Sequence, residues 1–318
     1  MDGKLNYVYA VYQEGSFTRA AEKLYISQPS LSAMVKKAEQ ALGAVIFDRG
    51  TNPLELTEAG RAYIQYIERV RQCEEELNEK LWDIQHLTKG RVRLGGSNYV
   101  LSGIVPLILE RILPKYPGIE IELVEEKSFT LEKMLQAGEL DLVIDSFTPG
   151  EGDAAQVYHH LLDEKILLAV PQGDPDNRAL KDCQLTRDMI LRGESPARPL
   201  PGKALEGLLS KPFILLRREN DMYQRAETIF RRVQIQPQVR LELDQLFTSL
   251  QYTKAGLGCS FVTDTLFRYG SHHQGICLYP LGEGAGTVRE LCVVHKKGKY
   301  LSYACRLLID TARQVFGG

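Results

Sequence analysis

Near residue 30 the chain sets an amide, hydroxyls and two lysines on one face of a short helix, a combination suited to the edges and phosphates of DNA. The face holds Gln28, Pro29, Ser30, Ser32, Ala33 and Lys36 with Lys37 beside them, because Leu31, Val35, Ala38 and Leu42 fall at helical spacing on the other side. Glutamine makes paired hydrogen bonds to adenine, serine bonds several base edges, and lysines or a helix N-terminus favour phosphate. Thr18 and Arg19 stand close by as backbone-contacting neighbours. Arg49 and Asn52 flank a turn through Gly50 and Pro53, from which they can reach a phosphate or a minor groove; a solvated turn has the same composition.

A second set of polar residues lies at the ends of predicted strands much further along. It comprises Ser97, Asn98 and Tyr99, then Ser128, Phe129 and Thr130, then Ser146 and Thr263. Ligands of open α/β sheets sit beyond the carboxyl ends of strands, so these loops suit a small polar or anionic metabolite. The same hydroxyls also serve as helix caps. Arg217 and Arg218, at the end of FILL, read as a carboxylate clamp or as an exposed surface pair.

Other chemistries find no support. There is no nucleophile elbow, P-loop, metal motif or dinucleotide fingerprint; AGLGCSF has Phe261 where the third glycine belongs and follows a helix instead of a strand. Cys259 as a nucleophile needs a positioned base that nothing identifies. The six cysteines, Cys73, Cys183, Cys259, Cys277, Cys292 and Cys305, are widely spaced and read as free thiols in a reducing compartment. The pairs His159-His160 and His272-His273 point to opposite faces of an extended segment, so neither makes a metal site by itself. No catalytic residue, metal or cofactor is expected.

The elements that must position these residues follow from periodicity. Leu5, Val8, Tyr9 and Tyr12 make a first helix, Gly15 stops it, and Ser16 caps a second with Phe17, Ala20, Ala21 and Leu24 inward. Tyr25, Ile26 and Ser27 form a turn, and the helix bearing Gln28 follows: a helix-turn-helix able to enter a major groove. Val45-Ile46-Phe47 and Leu54 to Leu56 form a hairpin, or wing. Thr57 then caps a helix running to Thr88, about 30 residues and roughly 45 Å long. Its seam, Tyr63, Ile67, Val70, Glu74, Leu77, Leu81, Ile84 and Thr88, has coiled-coil spacing and is too long for a domain of this size to cover, which points to pairing with a second copy.

From Arg91 the pattern alternates strand and helix, as in a parallel sheet with crossover helices. The strands are too many for one sheet, so two α/β subdomains with a cleft between them are expected. A length of 318 residues agrees with two or three domains. With a formal net charge of −2, and six basic against seven acidic side chains in residues 1 to 60, DNA affinity must come from local placement. No apolar run can span a bilayer and no signal peptide is evident, so the expected location is the cytoplasm, with no membrane partner.

The run AAEKLYISQPSLSAMVKKAEQALGAVIFDR, followed by LTEAG, resembles the signature of the LysR-type transcriptional regulators, and the whole chain is similar to that family in length and order of segments. The resemblance implies a winged helix-turn-helix domain (1–57), a dimerising linker helix (58–88) and an effector-binding domain (89–318) similar to type 2 periplasmic binding proteins. It divides that domain into subdomain I (91–165 and 269–318) and subdomain II (166–268), with a hinge near Glu164 and Thr265. It further implies double-stranded promoter DNA and a second copy as partners, a homodimer or homotetramer, with RNA polymerase a further candidate, and an unidentified small effector that modulates promoter binding. A thiol-redox-responsive regulator of the same family is the alternative; a solute-binding module or an α/β enzyme is the more distant one. One departure from the family is the stretch of about 40 residues between Pro171 and Phe213, including RGESPARPLPGK, which makes 180–203 either a surface excursion or a lid over the cleft.

Overall fold

The computed structural model describes the whole chain except residues 1–2, 49, 51–53, 86–88, 149, 151, 271–273, 283, 285 and 318, and except the side chains of 3, 4, 72, 75, 76, 79, 82–85 and 89. It divides into two compact units, Met1–Gln85 and His86–Gly318.

In the first unit, α1 (Gly3–Glu14) ends at Gly15, whose φ of +57° favours glycine, and α2 (Phe17–Lys23) starts from the Ser16 cap, which accepts the Arg19 N–H. Ser27 caps α3 (Gln28–Leu42) in the same way, with Pro29 in the first turn where its missing N–H costs nothing. The wing is the two-residue pair β1 (Phe47–Asp48) and β2 (Glu55–Leu56), and α4 (Glu58–Gln85) follows. The core gathers Leu5, Val8, Val11, Ala20, Ala21, Leu31, Val35, Ala38, Ile46 and Phe47, closed by Ile64 and Ile67 of α4. Three expectations change here. Val11 replaces Tyr12, which is exposed; Leu42 leaves the buried stripe because α3 outruns the core; and the start of α4 does bury its stripe against the small domain. Beyond Val70 the seam emerges, with Leu77 55% and Leu81 48% exposed.

The junction of wing and long helix explains the LTEAG run. The Thr57 hydroxyl donates to the Val45 carbonyl (2.6 Å) and accepts the Gly60 N–H (2.9 Å), capping α4 while tying it to the wing. Gly60 sits so close that a methyl carbon there would lie 2.0 Å from the Ile46 carbonyl oxygen.

The second unit runs β3 (Lys89–Gly96), a π-helical turn (Val100–Ile104), α5 (Val105–Ile112), β4 (Gly118–Glu125), α6 (Ser128–Ala137), β5 (Leu142–Phe147) and β6 (Gln156–Pro171). It continues with α7 (Arg187–Arg192), α8 (Gly202–Leu209), β7 (Pro212–Leu216), α9 (Asp221–Val233), β8 (Gln238–Leu243), α10 (Leu246–Lys254), β9 (Ser260–Thr263) and α11 (Asp264–Tyr269). It closes with β10 (Ile276–Pro280), β11 (Val288–Lys296) and α12 (Tyr303–Phe316).

Strand order in the main sheet is β10-β6-β11-β5-β3-β4, with β9 also on β6 and a separate parallel pair β7-β8. The expected parallel pairing holds for β3 with β4 and β5, whereas β11, β9 and β10 are antiparallel to their partners. The mixed topology arises because β6 is 16 residues long: residues 156–165 pair with β11, and 166–171 pair with β9 and β10. One strand therefore passes through both lobes. Strand 276–280, grouped above with subdomain I, pairs with the later half of β6, on the edge opposite the one that β9 takes.

The additional stretch folds into two 3₁₀ turns, α7 and α8, and packs against β10 and α11: Leu185 bridges Leu278, the Arg187 Nε donates to the Phe267 carbonyl (3.2 Å), and Gln184 donates to Tyr279 Oη (2.9 Å).

Candidate nucleic-acid face and effector site

On α3 the outward residues Gln28, Pro29, Ser30, Ala33, Lys36 and Lys37 are exposed and Ser32 is half-buried, so the amide, hydroxyls and ammonium groups stand on one helical face. Thr18 and Arg19 are exposed on the neighbouring α2; Arg19 Nη2 donates to the Glu14 carbonyl (2.5 Å), and Lys23 pairs with the Glu14 carboxylate (2.7 Å). Arg49 and Asn52 lie outside the described residues, as do His272 and His273.

In the second unit the polar candidates converge on one buried carboxylate. Glu164, at the point where β6 passes between lobes, is fully buried. Tyr99 Oη (2.8 Å) and Ser146 Oγ (2.7 Å) donate to it, as does the Thr265 hydroxyl, which is also bonded to Tyr99 Oη and to Thr263 (2.9 Å). Arg289 on β11 completes the set with Nε 2.7 Å from the Glu164 Oε2. Burial pushes the Glu164 carboxyl up, but Arg289 and the three hydroxyl donors outweigh it and hold the group below the usual carboxylate range. Burial and the adjacent carboxylate keep the Tyr99 phenol protonated, well above its ordinary value.

From Arg289 the charges continue across the cleft. Its Nη1 donates to Asp221 (3.0 Å) on α9, Asp221 pairs with Arg225 one turn on (2.8 Å), and Arg225 reaches back to the Val288 carbonyl (2.8 Å) and the Thr148 hydroxyl (3.1 Å). Two carboxylates and two guanidiniums thus bind the lobes to each other. Next to them Asp145 accepts hydrogen bonds from Ser128 and from the Ser146 N–H (2.9 Å), and burial raises its carboxyl to about 6 against those donors and the Arg289 charge.

A cavity of about 680 Å³ opens beside Tyr99 and Thr265, lined by Asn98, Ser102, Phe247, Lys254, Leu266 and Tyr269 among others. Lys254 is half-buried, desolvation lowers its pKa, and among the described residues no carboxylate pairs with it. Asn98 turns its amide to the Glu125 carboxylate (3.2 Å) at the rim.

Several candidates fall elsewhere. Ser97 is half-buried and its carbonyl accepts the Leu101 N–H within the helical turn; Thr130 is half-buried in the first turn of α6. Phe129 is 63% exposed under the Lys133 ammonium. The Arg217 side chain is exposed, 3.6 Å from Asp244, and Arg218 lies over the Tyr223 ring, so the FILL arginines form a surface pair. The sequence reading does not single out Asp221, Arg225, Arg289 or Lys254. Two signals existed: a charged Arg289-Glu290 pair inside the otherwise apolar VRELCVV strand, and the Asp221/Arg225 spacing of one helical turn.

A family model described as "Bacterial regulatory helix-turn-helix protein, lysR family" matches residues 3–61, and one described as "LysR substrate binding domain" matches residues 85–317. The chain belongs to the LysR family of transcriptional regulators. Among relatives of this LysR-type regulator, the uncharacterized HTH-type regulator YcgK of Bacillus subtilis is 27% identical over 98% of this chain and 93% of its own. The HTH-type transcriptional activator CmpR of Synechocystis is 25% identical over 95% of this chain and 91% of its own. Solved structures that share the fold include a full-length OxyR variant from Pseudomonas aeruginosa (TM-score 0.67, 21% identity, 98% and 93% coverage) and full-length CbnR complexed with its target DNA (TM-score 0.61, 17% identity, 98% of each chain).

The regulator is not an enzyme: its family and its relatives are regulators of transcription. Its fold is a helix-turn-helix joined to a mixed α/β effector-binding unit. No described helix is long and apolar enough to cross a membrane, and no described cluster of His, Cys, Asp and Glu could hold a metal ion. All six cysteines are free; burial pushes Cys259 and Cys292 up to about 12 and raises Cys277, which disfavours the thiolate needed for peroxide chemistry.

Proposed function

We propose that this regulator binds promoter DNA as a dimer through α3 and that a small polar or anionic effector, seated between the lobes of the second unit, modulates that binding. The observation that carries the effector reading is the pairing of a roomy cavity with an ion network spanning both lobes. The cavity offers Lys254 as a cation with no carboxylate partner among the described residues, Asn98 and Ser102 as polar contacts, and Phe247, Leu266 and Tyr269 as apolar walls. Its inner wall, Tyr99 and Thr265, is hydrogen-bonded to Glu164, which joins Arg289 and Asp221. An effector that touches Tyr99 or Thr265 in one lobe arrangement and not in another shifts the population between them.

Dimerisation through α4 is supported by the exposed Leu77 and Leu81 in line with Val70 and Ile67. A second copy would cover that seam and set two α3 helices on one side for a dyad of half-sites.

The test is binding of the purified chain to DNA upstream of its own gene against scrambled competitor across a salt series, with and without pooled metabolites. Specific binding that weakens with salt, and weakens about tenfold or more in Gln28→Ala, supports the reading. Absence of specific binding in both conditions overturns it.

A further inference from the structure

The hinge has a second concave side, away from the cavity just described. There the additional stretch 180–203 walls off a pocket of about 350 Å³, closed by Leu185, Ile190 and Pro196 on one side and by Ile166, Leu281 and Val288 on the other. That volume is at the lower end of pockets that hold small organic ligands. Its polar groups are Arg268, Lys165, Asp264 and Glu194.

Their bonding is unequal. The two acids are engaged: Asp264 accepts the Lys165 N–H (2.8 Å), and Glu194 lies 3.9 Å from Arg192. The two cations are engaged only in part. Arg268 pairs with Asp264 at 3.4 Å, longer than a good charge-assisted bond, and its side chain is hydrogen-bonded with Tyr269, while among the described residues its Nε has no hydrogen-bond partner and no carboxylate pairs with the Lys165 ammonium. The pocket is therefore an apolar slot with spare cationic capacity at one end. We infer that this hinge-side pocket binds a small monocarboxylate with an apolar body, its carboxylate held by Arg268 and Lys165 and its body against Ile190, Pro196 and Leu281.

This site is separate from the Lys254 cavity and does not depend on it. It also has a direct route to the same network. Lys165 follows Glu164, Asp264 lies between Thr263 and Thr265, and Val288 precedes Arg289, so three of the segments lining the pocket present one residue to it and a neighbour to the buried ion network.

The probe is 4-fluorophenylacetate, followed by fluorine NMR line broadening on the full-length chain, with the neutral 4-fluorophenylacetamide as control. Saturable binding is expected for the acid and binding at least about tenfold weaker for the amide. Arg268→Gln should weaken the acid by a similar factor, and Ser195→Trp, which fills the slot from the surface, should block it while leaving the far-UV circular dichroism unchanged. Lys254→Met should bind the acid as the unaltered chain does. No saturable binding up to about 10 mM, or equal binding of the amide, overturns the inference. Loss of binding in Lys254→Met with retention in Arg268→Gln and Ser195→Trp also overturns it, and instead places the probe in the proposed effector cavity.

Discussion

Replacing Asp145 by asparagine should stabilise the protein at neutral pH, by an amount that grows with pH. Asp145 lies within β5 with only 7% of its surface exposed, and burial raises its carboxyl to about 6. In the unfolded chain it titrates near about 3.9. An acid whose folded-state pKa lies above its unfolded value binds more protons when folded across that interval, so stability falls as pH rises through it. About two units at 1.36 kcal/mol each put the cost of ionised Asp145 at roughly 3 kcal/mol above pH 7, and at only about 1 kcal/mol at pH 4.5. Asparagine has no charge to bury and its amide oxygen can still accept the Ser146 N–H. Urea unfolding of the full-length chain, followed by far-UV circular dichroism, should show Asp145→Asn ahead by about 2–3 kcal/mol at pH 7.5 and by about 1 kcal/mol at pH 4.5. The contribution of Glu164, whose pKa is shifted down, has the opposite pH dependence and cancels between the two chains. A gap that stays constant with pH, or widens as pH falls, would refute the reasoning.

Four further outcomes follow from the geometry. Gly60→Ala, which in an ordinary helix stabilises, should here destabilise the first unit by more than about 2 kcal/mol because its methyl meets the Ile46 carbonyl; a raised melting temperature would contradict this. Arg289→Met should cost about 3–5 kcal/mol by leaving Glu164 buried without its cation, and adding Glu164→Gln should recover a good part of the loss in a double-mutant cycle. Changing Leu77 and Leu81 together to Asp should shift sedimentation from dimer toward monomer at micromolar concentration, and an unchanged dimer would remove α4 as the interface. A thiol reagent such as DTNB should titrate one fast cysteine, the exposed Cys73, in the folded chain; fast reaction of Cys183 or Cys259 would favour the redox alternative.

Legibility from sequence is greatest where local rules act alone. Gly15, Ser16, Ser27 and Pro29 announce helix boundaries through dihedral preference and capping, and α1 ends and α2 and α3 begin where these residues stand. The polar face of α3 is equally legible, since a helix whose other side carries Leu31, Val35 and Ala38 has only one way to sit on a core. The effector unit is harder for two reasons. The first half of β6, with Tyr158, His159 and His160, lacks the apolar run of a buried strand because α12 covers only part of it. And the ion network joins Glu164, Asp221 and Arg289, residues whose separations of 57 and 68 positions no local pattern can connect. Resemblance marks Glu164 and Thr265 as crossing points; that they carry the central hydrogen bonds is visible only in three dimensions.

The long strand β6 also governs when the molecule can become whole. Its neighbour on one side is β11, which inserts between β6 and β5 and is made only as residues 288–296 leave the ribosome. Until then the facing edges of β5 and β6 carry unpaired N–H and C=O groups beside apolar side chains, a surface prone to pair with other chains. A chain interrupted before residue 288 therefore lacks both the middle strand of its sheet and Arg289, the partner of its most deeply buried acid. Truncated products should collect with chaperones or in aggregates instead of as a stable first lobe, and maturation of the sensor should be a late, all-or-none event in synthesis.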